Sequence, residues 1–154
     1  MIERAVFEDL EEILRVQKAA FYPVALAERN DRIPPLMQTQ EEIEDEFTRR
    51  TFLKYVHDGK IIGSVRAHLD ENRVCQIGKL VVLPEHQGKG IGTALMEAIE
   101  QEFEDCLAYE LFTGAMHVHT VAFYHRLGYQ TVSKRDFGGV SMEFMKKERV
   151  PQSR

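Results

Sequence analysis

The run Val81-Val82-Leu83-Pro84-Glu85-His86-Gln87-Gly88-Lys89-Gly90-Ile91-Gly92-Thr93 limits the possible folds of this chain most, because a β-rich apolar stretch passes through glycines straight into a helical pattern. Behind it Ile91, Leu95, Ala98, Ile99 and Phe103 recur at helical spacing, so the turn opens a helix. The first amides of a helix lack intrahelical acceptors and carry the positive end of its dipole, which suits a phosphate or diphosphate. Glycine lets such a backbone come close to a ligand, although a strand-to-helix turn can also need glycine for its own conformation. Two better-known phosphate motifs fail. A dinucleotide fingerprint starting at Gly88 would want glycine or alanine at Thr93 and a parallel β-α-β unit near the start of the fold. A Walker loop would need Gly-Lys followed by Ser or Thr at the helix start, and Gly90-Ile91-Gly92 offers no such lysine.

Around this turn the chain alternates periods. Ile2 to Phe7 reads as a strand, and Leu10, Ile13, Leu14, Gln17, Ala20 and Phe21 then follow at helical spacing. Tyr22 to Met37, with Pro23, Pro34 and Pro35, has no clean period and is expected to be an irregular substrate-side loop. Thr39 with Glu42 has capping-box spacing and starts a helix to about Arg50. Phe52 to His57 and Lys60 to Leu69 flank Asp58-Gly59, a strong hairpin signal, and Arg73 to Leu83 adds a third strand to an antiparallel meander. After the glycine-led helix come a strand at Leu107 to Phe112 and a helix from Val118 to Leu127 that stops at Gly128. Strands at Tyr129 to Lys134 and Val140 to Met145 meet at Gly138-Gly139, and the tail from Lys146 is expected to fray. The order is β-α-α-β-β-β-α-β-α-β-β, a mixed α+β fold. A length of 154 residues points to one domain over 1–148 with a short tail at 149–154.

Composition excludes more than it selects. Apolar residues at 44% and charged residues at 29% are ordinary globular values, which rules out a disordered or fibrous chain. A net charge of −5 gives no basic face for nucleic acid and mildly favours cationic partners. Cys75 and Cys106 have no CxxC spacing and read as two reduced thiols, neither a disulfide framework nor a zinc site. His117 and His119 lack a third partner at metal spacing, and Gly63-Ser64 lacks the turn of a nucleophile elbow. No signal sequence or membrane-length apolar run is visible, so a cytoplasmic protein without a membrane partner is expected.

The spacing of Gln87, Gly90 and Gly92 resembles the signature of the GNAT acetyltransferase superfamily, a Gln or Arg, two residues, Gly, one residue, then Gly or Ala. Upstream, Leu80-Val81-Val82-Leu83-Pro84 is similar to the family's fourth strand, whose bulged end pairs with the pantetheine arm of coenzyme A. Downstream, Phe123-Tyr124-His125-Arg126-Leu127-Gly128-Tyr129 resembles the second signature, a tyrosine on a short helix followed by Leu-Gly and an aromatic residue. The resemblance covers nearly the whole chain. It implies the acyl-CoA N-acyltransferase fold, a bent, mixed and mostly antiparallel sheet flanked by helices, whose central strands splay to admit acetyl-CoA. It further implies acetyl transfer to a primary amine, of a small molecule or of a peptide, by direct attack in a ternary complex, and a homodimer by family habit. A non-catalytic acyl-CoA sensor, or transfer of a longer acyl group, is the competing function.

By the same resemblance the backbone N–H at or near Val82 would polarise the thioester carbonyl, a contribution of a few kcal/mol for a well-placed donor. Tyr124 would act as general acid toward the leaving sulfur; a phenol titrates at about 10, near enough to a thiol to share a proton with it. The alternative for Tyr124 is a core aromatic. Leu80, Val81 and Val82 with Gln87, Gly88, Lys89, Gly90, Ile91, Gly92 and Thr93 would contact the cofactor, Lys89 adding charge or being merely solvated and Gln87 orienting the loop. His117 stands where the family usually has asparagine, either near the cofactor or structural. Where some members carry a glutamate base, the matching position is Phe112, and Glu110 lies two residues away, roughly 7 Å along a strand, so no base is assigned. His68, Arg66 and Glu110 are either pocket groups or ordinary exposed or paired residues. Tyr22 to Met37, the loop around Asp70 and the Asp136 to Gly139 turn are expected to shape the acceptor pocket.

Overall fold

The computed structural model describes residues 1–149. Seven strands form one mixed sheet in the order β1-β2-β3-β4-β5-β7-β6. They are β1 (Ile2–Arg4), β2 (Thr51–His57), β3 (Lys60–Leu69), β4 (Val74–Val82), β5 (Ala108–Gly114), β6 (Gln130–Phe137) and β7 (Val140–Glu148). The helices are α1 (Leu10–Glu28), α2 (Pro34–Met37), α3 (Gln40–Phe47), α4 (Ile91–Glu102) and α5 (Val118–Arg126). Strands β1 with β2, β2 with β3, β5 with β7 and β6 with β7 run antiparallel, whereas β4 and β5 run parallel. This is the mixed fold expected from the element order. Among the described residues no helix is long and apolar enough to cross a membrane.

The chain divides into two compact units, Met1–His68 with Lys79–Glu102, and Leu69–Gly78 with the chain from Phe103 onward. In the first, Leu10, Ile13 and Leu14 of α1 and Ile43 of α3 meet Phe52, Ile61 and Val81 in one buried cluster. Each such side chain contributes roughly 1.5–3 kcal/mol by leaving water. On β3, Gly63 faces Ile91 and Leu95 of α4; a Cβ there would stand 3.0 Å from the Val81 carbonyl oxygen and 3.1 Å from Leu95 Cδ1. Glycine at this position sets how closely the helix lies on the sheet. In the second unit, Leu111 and Met145 pair across β5 and β7, and Tyr129 is buried beside the Tyr124 ring at 5.9 Å.

Local signals account for most boundaries. The Thr39 hydroxyl accepts from the Glu42 amide and the Glu42 carboxylate accepts from the Thr39 amide, completing the capping box. Asp58 and Gly59 both take positive φ, 51° and 74°, as a two-residue hairpin loop requires. Three expectations are corrected. Tyr22 to Met37 is not an irregular loop: α1 continues through Pro23 to Glu28, and α2 follows. Proline costs one helical hydrogen bond, but Ala19, Ala20, Ala25, Leu26 and Ala27 are strong helix formers and Ala25 is buried. The helix stops where Arg29 turns left-handed at φ 53° and the Asn30 amide returns to the Ala25 carbonyl. The first strand is shorter than expected, giving way to a 3-10 turn at Phe7–Asp9. The fray at Lys146 is replaced by ladder pairing, because Lys146 and Lys147 lie opposite Glu110 and Tyr109. Of the expected tail, residues 150–154 lie outside the described residues.

Candidate active site

Strand β4 delivers the candidate cofactor residues, and it does so through a kink. Lys79 adopts φ 50° in mid-strand, an unusual conformation for a side chain with a Cβ, immediately before Leu80, Val81 and Val82. After Val82 the Leu83 amide donates to the Ile62 carbonyl at 2.9 Å, so the chain stays pinned to β3 as it leaves the strand. A 3-10 turn at Pro84–His86 follows, and the Gln87 side-chain amide donates back to the Val82 carbonyl oxygen at 3.0 Å. Gln87 therefore ties the turn to the strand end.

Gly88 and Gly90 take φ 77° and 82°, the left-handed region that favours glycine. The first helical hydrogen bond runs from the Ala94 amide to the Gly90 carbonyl at 3.0 Å, which makes Ile91, Gly92 and Thr93 the first-turn donors without intrahelical acceptors. Ile91 is buried against the sheet, while Gln87, Gly88, Lys89 and Gly90 are exposed. A Cβ at Gly88 or Gly90 would meet nothing within 4 Å, so open space lies over both glycines. The turn thus offers main-chain donors, a favourable dipole and room for an anionic group.

The remaining candidates lie in the second unit. His117 occupies the N-cap of α5, half-buried, with its carbonyl accepting from the Val121 amide. Tyr124 is 8% exposed, edge-on to Phe123 and Tyr129 with centroids 5.2 and 5.9 Å away, and burial pushes its phenol well above the usual value. The group holds its proton throughout the neutral range. Phe112 is exposed on β5, and the Glu110 carboxylate accepts from the Gln76 side-chain amide at 2.7 Å, with Asp70 sharing that amide. Cys75 and Cys106 are both buried. The turn expected at Asp136 to Gly139 narrows to Gly138 and Gly139, because Asp136 and Phe137 belong to β6.

One cluster was not legible in the sequence. Arg66, fully buried on β3, donates to Glu46 of α3 at 2.8 Å and to Gln17 of α1 at 2.5 Å, with its guanidinium 4.4 Å from the Phe52 ring centroid. The Gln38 side chain donates to the same Glu46 oxygen, and Lys79 and Arg50 approach Glu46 at 3.6 and 3.2 Å. Of the two readings for Arg66, a paired residue is the one that holds. Its partners are scattered over the sequence, and only the helical spacing of Glu46 and Arg50 was locally visible.

Comparison with known proteins agrees with this fold. The sequence profile of the Acetyltransferase (GNAT) family matches residues 7–129. A UPF0157 protein, YqkA, from Bacillus subtilis (strain 168) is 31% identical over 119 residues, covering 77% of this chain and 34% of its own length. An uncharacterised N-acetyltransferase from Mycobacterium tuberculosis (strain ATCC 25618 / H37Rv) is 30% identical over 91 residues, 58% of each chain. The chain therefore spans about a third to just under three fifths of the length of these curated relatives. Among solved structures, the PaiA N-acetyltransferase from Thermoplasma acidophilum in complex with coenzyme A superposes with a TM-score of 0.83, covering 96% of this chain and 98% of that one at 19% identity. That likeness speaks for the fold, and the profile, which takes in the β4 kink, the glycine turn and α5 in one match, speaks for descent: the chain belongs to the GNAT acetyltransferase family.

Proposed function

We propose that this chain binds acetyl coenzyme A and transfers its acetyl group to a primary amine by direct attack, with residues 1–148 working as one acetyltransferase domain. The observation that carries the reading is the turn into α4, where Gly88 and Gly90 take positive φ with open space over both, directly before first-turn amides that lack intrahelical acceptors. Family membership supports it, as does the coenzyme A held by the Thermoplasma relative. The amides of Gly88 to Thr93 would hold the diphosphate, and Leu80 to Val82 would lie along the pantetheine arm. Bound there, the cofactor supplies an acetyl group activated as a thioester.

Main-chain and phenol groups then suffice for the protein's part. The Val82 N–H would donate to the thioester carbonyl oxygen, and a fixed donor of this kind is worth a few kcal/mol. Tyr124 starts protonated, because burial disfavours the phenolate, and would pass its proton to the departing sulfur, although that same burial moves the phenol away from the thiol's range. The amine sheds its proton to solvent, so no side-chain base is assigned.

The test is thiol release from acetyl-CoA across a panel of amines, alongside direct titration with coenzyme A. Turnover is expected, with Tyr124→Phe lowering kcat by about 10²–10⁴ while coenzyme A affinity is kept. Absence of saturable coenzyme A uptake by the folded protein overturns the proposal, and an unchanged kcat in Tyr124→Phe removes that residue from it.

A further inference from the structure

The Glu46 cluster is unbalanced in charge. Arg66, Arg50 and Lys79 surround one carboxylate, a local excess of two positive charges in a region where Arg66 is fully buried and the side chains of Arg50 and Lys79 are each only 27% exposed. Hydrogen bonding is equally incomplete. The Arg66 Nε and Arg50 Nε are buried without an aligned acceptor, although Arg50 Nε lies 3.2 Å from Glu46. Buried donors of charged groups are costly to leave unpaired. Both Lys79 and Arg66 are held below their ordinary titration range, Lys79 by burial first and then by repulsion from Arg66, and Arg66 by burial first. A second anion beside Lys79 and Arg50 would offset the local excess of positive charge on the half-buried side of the cluster. The overall charge of −5 is no guide to this local field.

We propose that Lys79 and Arg50, on the accessible edge of the Glu46 cluster, form an anion-binding subsite that selects amine acceptors bearing a carboxylate or phosphate group. The inference rests on the acetyl-transfer reading and specifies its acceptor class. Position supports it. Lys79 immediately precedes Leu80 on β4 and stands three residues from Val82, at most roughly 10 Å along a strand. A short aliphatic chain spans that distance, so an amine presented near Val82 would carry its anionic end to Lys79. The left-handed kink at Lys79 sets that side chain's direction independently of its strand neighbours, and Glu46 holds its ammonium at 3.6 Å. Arg66 and Gln38 donate to Glu46 and fix it, and Gln17 accepts from Arg66; Arg66 and Gln17 are fully buried.

The full chain is titrated calorimetrically with inorganic phosphate, an unbranched ω-amino carboxylate, the ω-aminoalkyl phosphate of equal length, and the plain alkylamine. The anionic probes are expected to bind saturably and the alkylamine at least tenfold more weakly; the ranking of carboxylate against phosphate decides which group the subsite prefers. Lys79→Gln and Arg50→Gln should each weaken the anionic probes about tenfold or more, while Lys89→Gln, on the α4 turn, should not. In steady state the preference for anionic over neutral acceptors should collapse in Lys79→Gln through KM. Equal binding of amino carboxylate and alkylamine overturns the inference, as does anion affinity that survives Lys79→Gln or falls only with Lys89→Gln. Coenzyme A uptake, titrated separately, fails only if the acetyl-transfer reading fails, so the two are told apart.

Discussion

Protonation of Glu46 would strip the fully buried Arg66 of its carboxylate. Burial alone would raise the Glu46 carboxyl, but Arg66, the Gln38 amide, Lys79 and Arg50 together outweigh it and hold the group below its ordinary range. A carboxyl lowered on folding stabilises the native state fully above the unfolded value of about 4.3, and that stability is lost as pH falls through the folded value. Urea midpoints should therefore stay level from pH 7 to about 5 and fall below about 4. Glu46→Gln should flatten that acid limb and, by leaving Arg66 uncompensated, cost about 3–5 kcal/mol at pH 7. A variant with an unchanged acid limb would show that Glu46 does not control it. At this scale the sequence was least readable. Arg66 stood out only as a polar residue in a β-rich run, and the partners that justify its burial come from α1, α3 and the stretch before α3. Likewise Lys79 does not announce its left-handed conformation, since the usual signals, glycine and asparagine, are absent at that position itself.

Elements were far more legible, because their signals are local. Asp58-Gly59 and the Thr39–Glu42 box act through neighbouring backbone groups and end where they should. The α1 boundary failed because proline was weighted over the alanines and leucine around it, and over the buried Ala25 that rewards continuing the helix. Packing between elements gives a prediction that local propensity would miss. Gly63→Ala pushes a methyl group against the Val81 carbonyl and Leu95, and overpacking of this kind should cost about 1–3 kcal/mol. Gly78→Ala, on β4, meets nothing within 4 Å and should be neutral or stabilising by up to about 1 kcal/mol. Chemical denaturation of the two variants measures the contrast, and equal effects would mean that α4 adjusts freely on the sheet.

For the whole molecule, the proposed cofactor site has a thermodynamic signature that needs no turnover. A ligand at one hundred times its Kd stabilises the native state by about 2.7 kcal/mol. For a chain of this size that should raise Tm by roughly 5–10 °C. Coenzyme A should produce this shift, and adenosine without the diphosphate much less; identical shifts would place the energy outside the α4 turn. The glycine turn was legible because its residue types and their order are themselves the signal, whereas the acceptor side depends on distant residues converging. The donors at the head of α4 have a further consequence. They belong to the peptide links themselves, so alanine at Lys89, Gly92 or Thr93 would leave every one of them intact and underrate the stretch, and alanine at Gly88 or Gly90 would report backbone strain instead. Ester replacement of single amide linkages there, by semisynthesis, is the perturbation that would reveal it.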